Sequence, residues 1–265
     1  MQYKQITTTS LLNKITKRDK LFIGDYTLDP YQNCEFGCLY CDSSSDKDIY
    51  IKSNAVDLLE KELKNIEKNK VIIIGSVHDP YQKIEEKYQL TRKILKIIHE
   101  HDLSCHILTK SKLINRDIDL ISKINNCIVT FSIVSLDDSV SNFFEKNTPP
   151  PIERMKIMKK ISNKGVKGGI ALIPILPYIV ENEFENIVKY AKACEAHHFL
   201  YKYLELKGDQ KNIFIKKLRE FDLSLVEKYE RLYKDSYMPD EDYINETKMI
   251  FKKLCSIHNL KNKLK

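Results

Sequence analysis

The spacing of apolar positions changes repeatedly along the chain, and each change marks an element. Val71-Ile72-Ile73-Ile74 is an unbroken β-branched run, the pattern of a strand buried on both faces. Cys105-His106-Ile107-Leu108, residues 128–133, Ile170-Ala171-Leu172-Ile173 and residues 199–204 repeat it, and a further strand is predicted near residues 22–28. Between these runs the apolar residues recur at helical spacing. Val56, Leu59, Leu63 and Ile66 predict a helix over residues 55–68, and Leu90, Ile94, Leu95, Ile97 and Ile98 another over 85–101. Shorter helices are expected at 117–124 and 183–196. Pro149-Pro150-Pro151 opens one that ends near residue 162, ahead of Gly165 and Gly168-Gly169.

Six strands interleaved with helices imply parallel βα units. The expected fold is α/β, a partial (β/α)6 barrel of TIM type, open on one side and spanning residues 1–208. Beyond it the pattern turns purely helical over 212–233 and 240–258. Residues 209–265 are therefore expected to form a helical C-terminal extension that caps the barrel or closes over substrate. Residues 1–20 read as a polar, basic, irregular or helical lead-in, and 43–48 as an exposed loop.

At 265 residues, 42% apolar and 31% charged, the chain can bury a sizeable core and keep a solvated surface. It has no run of 18 apolar residues, and its first residues lack the apolar stretch of a signal peptide, so a cytoplasmic protein is expected. The formal net charge of +7 is mild, and charge alone is weak support for nucleic-acid binding. Seven cysteines in such a protein argue for metal or catalysis over disulfides. Cys105, Cys127, Cys194 and Cys255 stand far apart and read as buried small hydrophobes.

The other three form a C-x3-C-x2-C motif, Cys34-Glu35-Phe36-Gly37-Cys38-Leu39-Tyr40-Cys41. Thiolates are soft ligands that select zinc, copper(I) or iron–sulfur clusters. A structural zinc would require a fourth ligand at tight spacing, and none follows. Three cysteines on one short loop can instead hold three irons of a [4Fe–4S] cluster, leaving the fourth iron to a small molecule. This motif resembles that of the radical S-adenosylmethionine (SAM) enzymes.

Further stretches resemble the spore photoproduct lyase-like branch. They are residues 27–31 and 75–82, Ile107-Leu108-Thr109-Lys110-Ser111, residues 129–133, and Ala171-Leu172-Ile173-Pro174-Ile175. The resemblance covers roughly residues 22–205. It implies Cys34, Cys38 and Cys41 as cluster ligands and SAM as the second cofactor. It also implies Tyr40 against the adenine, Lys110 at the SAM carboxylate, and Ser132, Ser76 and Ile173 among the SAM contacts. A Gly-Gly-Glu stretch common in radical SAM proteins is replaced here by Gly75-Ser76-Val77-His78, so His78 and Asp79 are candidates for SAM or substrate.

The implied activity is reductive cleavage of SAM to a 5′-deoxyadenosyl radical that abstracts hydrogen from a substrate. A low-potential donor, ferredoxin or flavodoxin, would supply the electron. The alternatives are lyase-like repair of a DNA lesion, or an iron–sulfur sensor that binds nucleic acid without catalysis. The lyase returns hydrogen from a cysteine just after its second strand, aided by a tyrosine after the last cluster cysteine. Here residues 75–79 hold no cysteine, and Asp42 stands at the tyrosine position. A lyase in the strict sense is therefore not expected.

Overall fold

The computed structural model describes residues 1–17, 21–42 and 48–264. Among these, ten strands form two sheets. They are β1 (Tyr3–Ile6), β2 (Asn13–Lys14), β3 (Tyr26–Leu28), β4 (Tyr31–Gln32), β5 (Ile49–Lys52), β6 (Val71–Ile74), β7 (Ser104–Thr109), β8 (Ile128–Ile133), β9 (Lys167–Ile175) and β10 (His198–Tyr203). The larger sheet has the order β10-β9-β8-β7-β6-β3-β2. Its six parallel strands follow chain order, and β2 adds antiparallel to β3 at one edge. This is the partial barrel that the apolar runs predict, with its crossover helices on the outer face.

The chain opens differently from its reading as an irregular or helical lead-in. Tyr3–Ile6 pairs parallel with β5, and β4 pairs antiparallel with β5, giving a three-stranded sheet beside the barrel. These strands are only two to four residues long and mix apolar with polar positions, so no long apolar run announces them. Residues 18–20 and 43–47, parts of the expected lead-in and exposed loop, lie outside the described residues.

Two predicted helices are each split in two. Gln89, with φ of 51°, divides 85–101 into Glu85–Tyr88 and Leu90–Glu100. The buried Glu85 carboxylate accepts from the amides of Thr91 (3.0 Å) and Arg92 (3.3 Å), satisfying donors that the second helix start leaves open. Asp222 likewise breaks the expected 212–233 helix into Asp209–Phe221 and Val226–Leu232, its side chain accepting from Ser224 N at 2.8 Å. A helix at Asp138–Phe144, not anticipated, is capped by Asp137. The C-terminal helices share the barrel's core: Phe214 stacks on Phe144, and Phe251 packs against Phe184, Phe199 and Tyr201. No helix among the described residues is long and apolar enough to cross a membrane.

Candidate active site

The cysteine loop leaves β4 through Asn33, in a left-handed conformation at φ 66°, and is tied down residue by residue. The buried Gln82 accepts from Glu35 N (2.8 Å) and donates to the Asn33 carbonyl (2.8 Å). Glu35 accepts from Ile84 N at 3.0 Å. Leu39 N reaches the Phe144 carbonyl (3.0 Å), and Cys41 N closes a turn onto the Cys38 carbonyl (3.0 Å). From the C-terminal extension, Gln210 donates to the Leu39 carbonyl at 3.4 Å. A loop held this way is pre-organised for whatever its thiols bind.

Cys34, Cys38 and Cys41 line one cavity together with Tyr40, Ser76, Lys110, Ser132 and Ile173. It opens where β6, β7, β8 and β9 end, the end at which such barrels carry their chemistry. With Asp79, which also lines it, nine of the ten predicted site residues thus come together. His78 does not line the cavity: its amide donates to buried Asp29 (3.2 Å), which also accepts from Val77 N (3.4 Å) and Ser76 Oγ (3.5 Å). Gly75 makes this turn possible, at φ 85°, where a Cβ would lie 2.4 Å from the Leu108 carbonyl oxygen.

A buried network behind the thiols fixes Tyr40 and Lys110. The Tyr40 hydroxyl donates to Glu145, whose second oxygen accepts from Arg154 Nη2 at 2.6 Å. Arg154 is fully buried and also donates to the carbonyls of Pro149 (2.7 Å) and Ser132 (2.7 Å). Lys110 Nζ donates to Ser132 Oγ at 2.9 Å and lies 3.9 Å from Glu145 and 5.8 Å above the Tyr40 ring. Burial opposes the Lys110 charge, but Cys38 and Glu145 outweigh it and raise its pKa. Ser132 gives its own hydrogen to the Ile173 carbonyl at 3.1 Å, so its hydroxyl accepts from Lys110 and donates to backbone. Glu145 and Arg154 escape the sequence reading, and Gln82, though it ends the 75–82 stretch, has no role there, because nothing local ties them to the cysteines.

The thiols suit a cluster better than a single ion. Burial pushes Cys34 and Cys38 up to about 12, so they give up their protons only to a ligand that replaces them. Among the described residues lining the cavity, Asp79 is the one other metal-ligating side chain. Its oxygens are already held by Thr109 Oγ1 (2.8 Å), Tyr81 N (2.9 Å) and Lys110 N (2.6 Å), and burial raises its carboxyl pKa. No three His, Cys, Asp or Glu side chains among the described residues converge on a point that one ion could occupy. A cubane does not ask for that, since each thiolate takes a different iron.

Deeper in the barrel lies a chain of hydrogen-bonded polar groups. His106 Nδ1 faces the Phe22 carbonyl at 2.7 Å, which can only accept, so Nδ1 carries the hydrogen. With the ring neutral, Nε2 accepts from Thr130 Oγ1 (2.6 Å), and Thr130 in turn accepts from His198 Nε2 (2.7 Å). Burial holds the His198 pKa well below the ordinary histidine value. Gly169 leaves room for that ring; a Cβ there would sit 2.3 Å from Nε2. Cys105 and Cys127 pair at 3.5 Å near the starts of β7 and β8 and do not line the cavity.

The sequence model of the Radical SAM superfamily matches residues 28–191. An uncharacterised protein of Mycobacterium tuberculosis is 25% identical over 257 residues, 89% of this chain and 75% of that protein. One of Methanocaldococcus jannaschii is 29% identical over 219 residues, 78% of each chain. Among solved structures, spore photoproduct lyase complexed with dinucleoside spore photoproduct superimposes with a TM-score of 0.72 at 16% identity, covering 97% of this chain and 79% of that one. The radical SAM methyltransferase TsrM from Kitasatospora setae, with tryptophan substrate bound, gives 0.52 at 12% identity, covering 70% and 36%. The family match takes in the three cysteines and four of the strand ends around them: the chain belongs to the radical SAM superfamily.

Proposed function

We propose that this enzyme cleaves SAM reductively and uses the resulting radical to abstract hydrogen from a substrate at the barrel mouth. One observation carries the reading: three thiols and a tyrosine from one loop, and a lysine from the end of β7, line one cavity at the strand ends. Cys34, Cys38 and Cys41 would hold a [4Fe–4S] cluster with one iron left for SAM. When bound, the cluster supplies the electron that splits SAM into methionine and the 5′-deoxyadenosyl radical.

The chain's own work is binding and orientation. Lys110, already fixed by Ser132, offers a point charge to the SAM carboxylate. Tyr40, its hydroxyl anchored on Glu145, offers a ring face to the adenine. Ser76 and Ile173 complete the expected contacts, and His78 belongs to them only if it turns from its present place beside Asp29.

The substrate is not a lesion repaired by cysteine hydrogen return, in our reading. Asp42 is exposed, and the Cys105–Cys127 pair lies at the opposite ends of the strands from the cavity. The test is anaerobic: reconstituted enzyme, dithionite and SAM should yield 5′-deoxyadenosine and methionine. No 5′-deoxyadenosine would favour the sensor reading instead. With DNA bearing the thymine dimer lesion, no multiple-turnover repair is expected. Lys110→Ala should weaken SAM binding tenfold or more, since a charge-assisted contact contributes roughly 1.5–3 kcal/mol, and leave iron content intact. Unchanged SAM affinity would remove Lys110 from the site.

A further inference from the structure

The proposed chemistry needs one electron from outside the chain, and the cysteine loop has a second face. Phe36, between Cys34 and Cys38, lines both the cavity and a separate groove of about 660 Å³. The groove also carries Lys83, Lys112, Arg116 and Lys146, against one acidic residue, Glu86. Arg116 is committed to Glu85 (2.6 Å) and Asp117 (2.8 Å). The three lysines are exposed, Lys112 with Glu153 3.5 Å from its Nζ at the groove's outer edge. The walls beneath them are held in place: Asn147 donates to the Glu35 carbonyl (3.4 Å), and Arg154 Nε to the Pro149 carbonyl (2.7 Å).

We propose that this groove docks an acidic, low-potential one-electron carrier protein. The inference rests on the cluster reading above. A carrier must bind briefly and release, and such encounters are small and guided by charge. Three lysines on a fixed frame supply the complementary field, and the shared Phe36 wall puts the docked partner against the cysteine loop. A nucleic acid would meet the same charge. Single strands, however, are usually held on exposed aromatic faces. Both aromatic residues lining this groove are buried, Phe36 at 7% exposed and Tyr81 at 1%.

The experiment compares reduction of the reconstituted enzyme by flavodoxin hydroquinone and by dithionite, followed by stopped-flow absorbance. The wild-type rate with flavodoxin should fall as salt rises. The variant K83E/K112E/K146E should be reduced by flavodoxin about tenfold or more slowly, and by dithionite at the wild-type rate. A control with the same charge change on the C-terminal helix, K248E/K252E/K253E, should stay close to wild type. Carbodiimide cross-linking of the wild-type enzyme to flavodoxin should map to Lys83, Lys112 or Lys146. Equal flavodoxin rates in wild type and groove variant, an equal loss in the control, or cross-links elsewhere would overturn the docking face. So would a groove variant that loses affinity for an oligonucleotide while keeping its flavodoxin rate. If dithionite reduces no cluster in the wild-type protein, the cluster reading has failed, and the cross-links alone decide the groove.

Discussion

The barrel holds two layers of polar residues, built in different ways. At the strand ends, Lys110, Glu145 and Arg154 form a charged network with Tyr40 that holds the cavity wall behind the thiols. Further down, His106, Thr130 and His198 make a chain that needs no net charge, each hydrogen having one acceptor to go to. Buried charges are costly to strand, whereas a neutral chain depends on fit. The two layers should therefore fail differently.

The largest effect is expected at the rim. Arg154→Ala removes the nearest cation from the buried Glu145, and several donors at once. A loss of about 3–5 kcal/mol is expected in urea unfolding, since the buried carboxylate keeps only the Tyr40 hydroxyl and Lys110 at 3.9 Å. Arg154→Met paired with Glu145→Gln should recover much of it. If the single variant lost less than about 1 kcal/mol, Lys110 or water would be pairing Glu145 without Arg154, and the contrast would collapse.

The floor should respond to volume. Gly169→Ala puts a methyl group where His198 sits, and overpacking of this kind costs about 1–3 kcal/mol. The double variant Gly169→Ala, His198→Ala should be less destabilised than the sum of its parts. Simple additivity would mean that the ring and the missing Cβ do not compete for the space.

These two layers also differ in how far the sequence discloses them. The three cysteines and Tyr40 fall within eight residues, so one stretch states the ligand set, and the β-branched runs state the parallel sheet. Lys110 and Ser132 end runs of that kind and were read with them. Glu145 is 105 residues from Tyr40, and only the folded chain brings them together. Each floor histidine looks like a single polar residue in an apolar strand. Their meeting follows from the register, which sets His106 beside Ile128 and both Thr130 and His198 beside Gly169. Such registers are not written in any one strand.

A smaller effect separates the layers by pH. The folded-state pKa of His198 lies below its unfolded value near 6.5, so below that pH the unfolded chain binds the extra proton. Its contribution to stability is complete above about pH 6.5 and is lost as pH falls toward the folded value. The slope from one such ring is at most about 1.4 kcal/mol per pH unit. Urea unfolding between pH 7.5 and 5 should show this slope in the wild type and a shallower one in His198→Gln. Identical slopes would place the acid sensitivity elsewhere.

The account as a whole stands on the three thiols. Iron and acid-labile sulfide, measured after anaerobic reconstitution of the wild type and of the triple variant Cys34→Ala, Cys38→Ala, Cys41→Ala, test them most directly. The wild type should bind about four of each per chain, with a reduced-state electron paramagnetic resonance signal that changes when SAM is added, and the variant should bind neither. Iron and sulfide retained in the triple variant, or a wild type that takes up zinc alone through four protein ligands, would contradict the assignment.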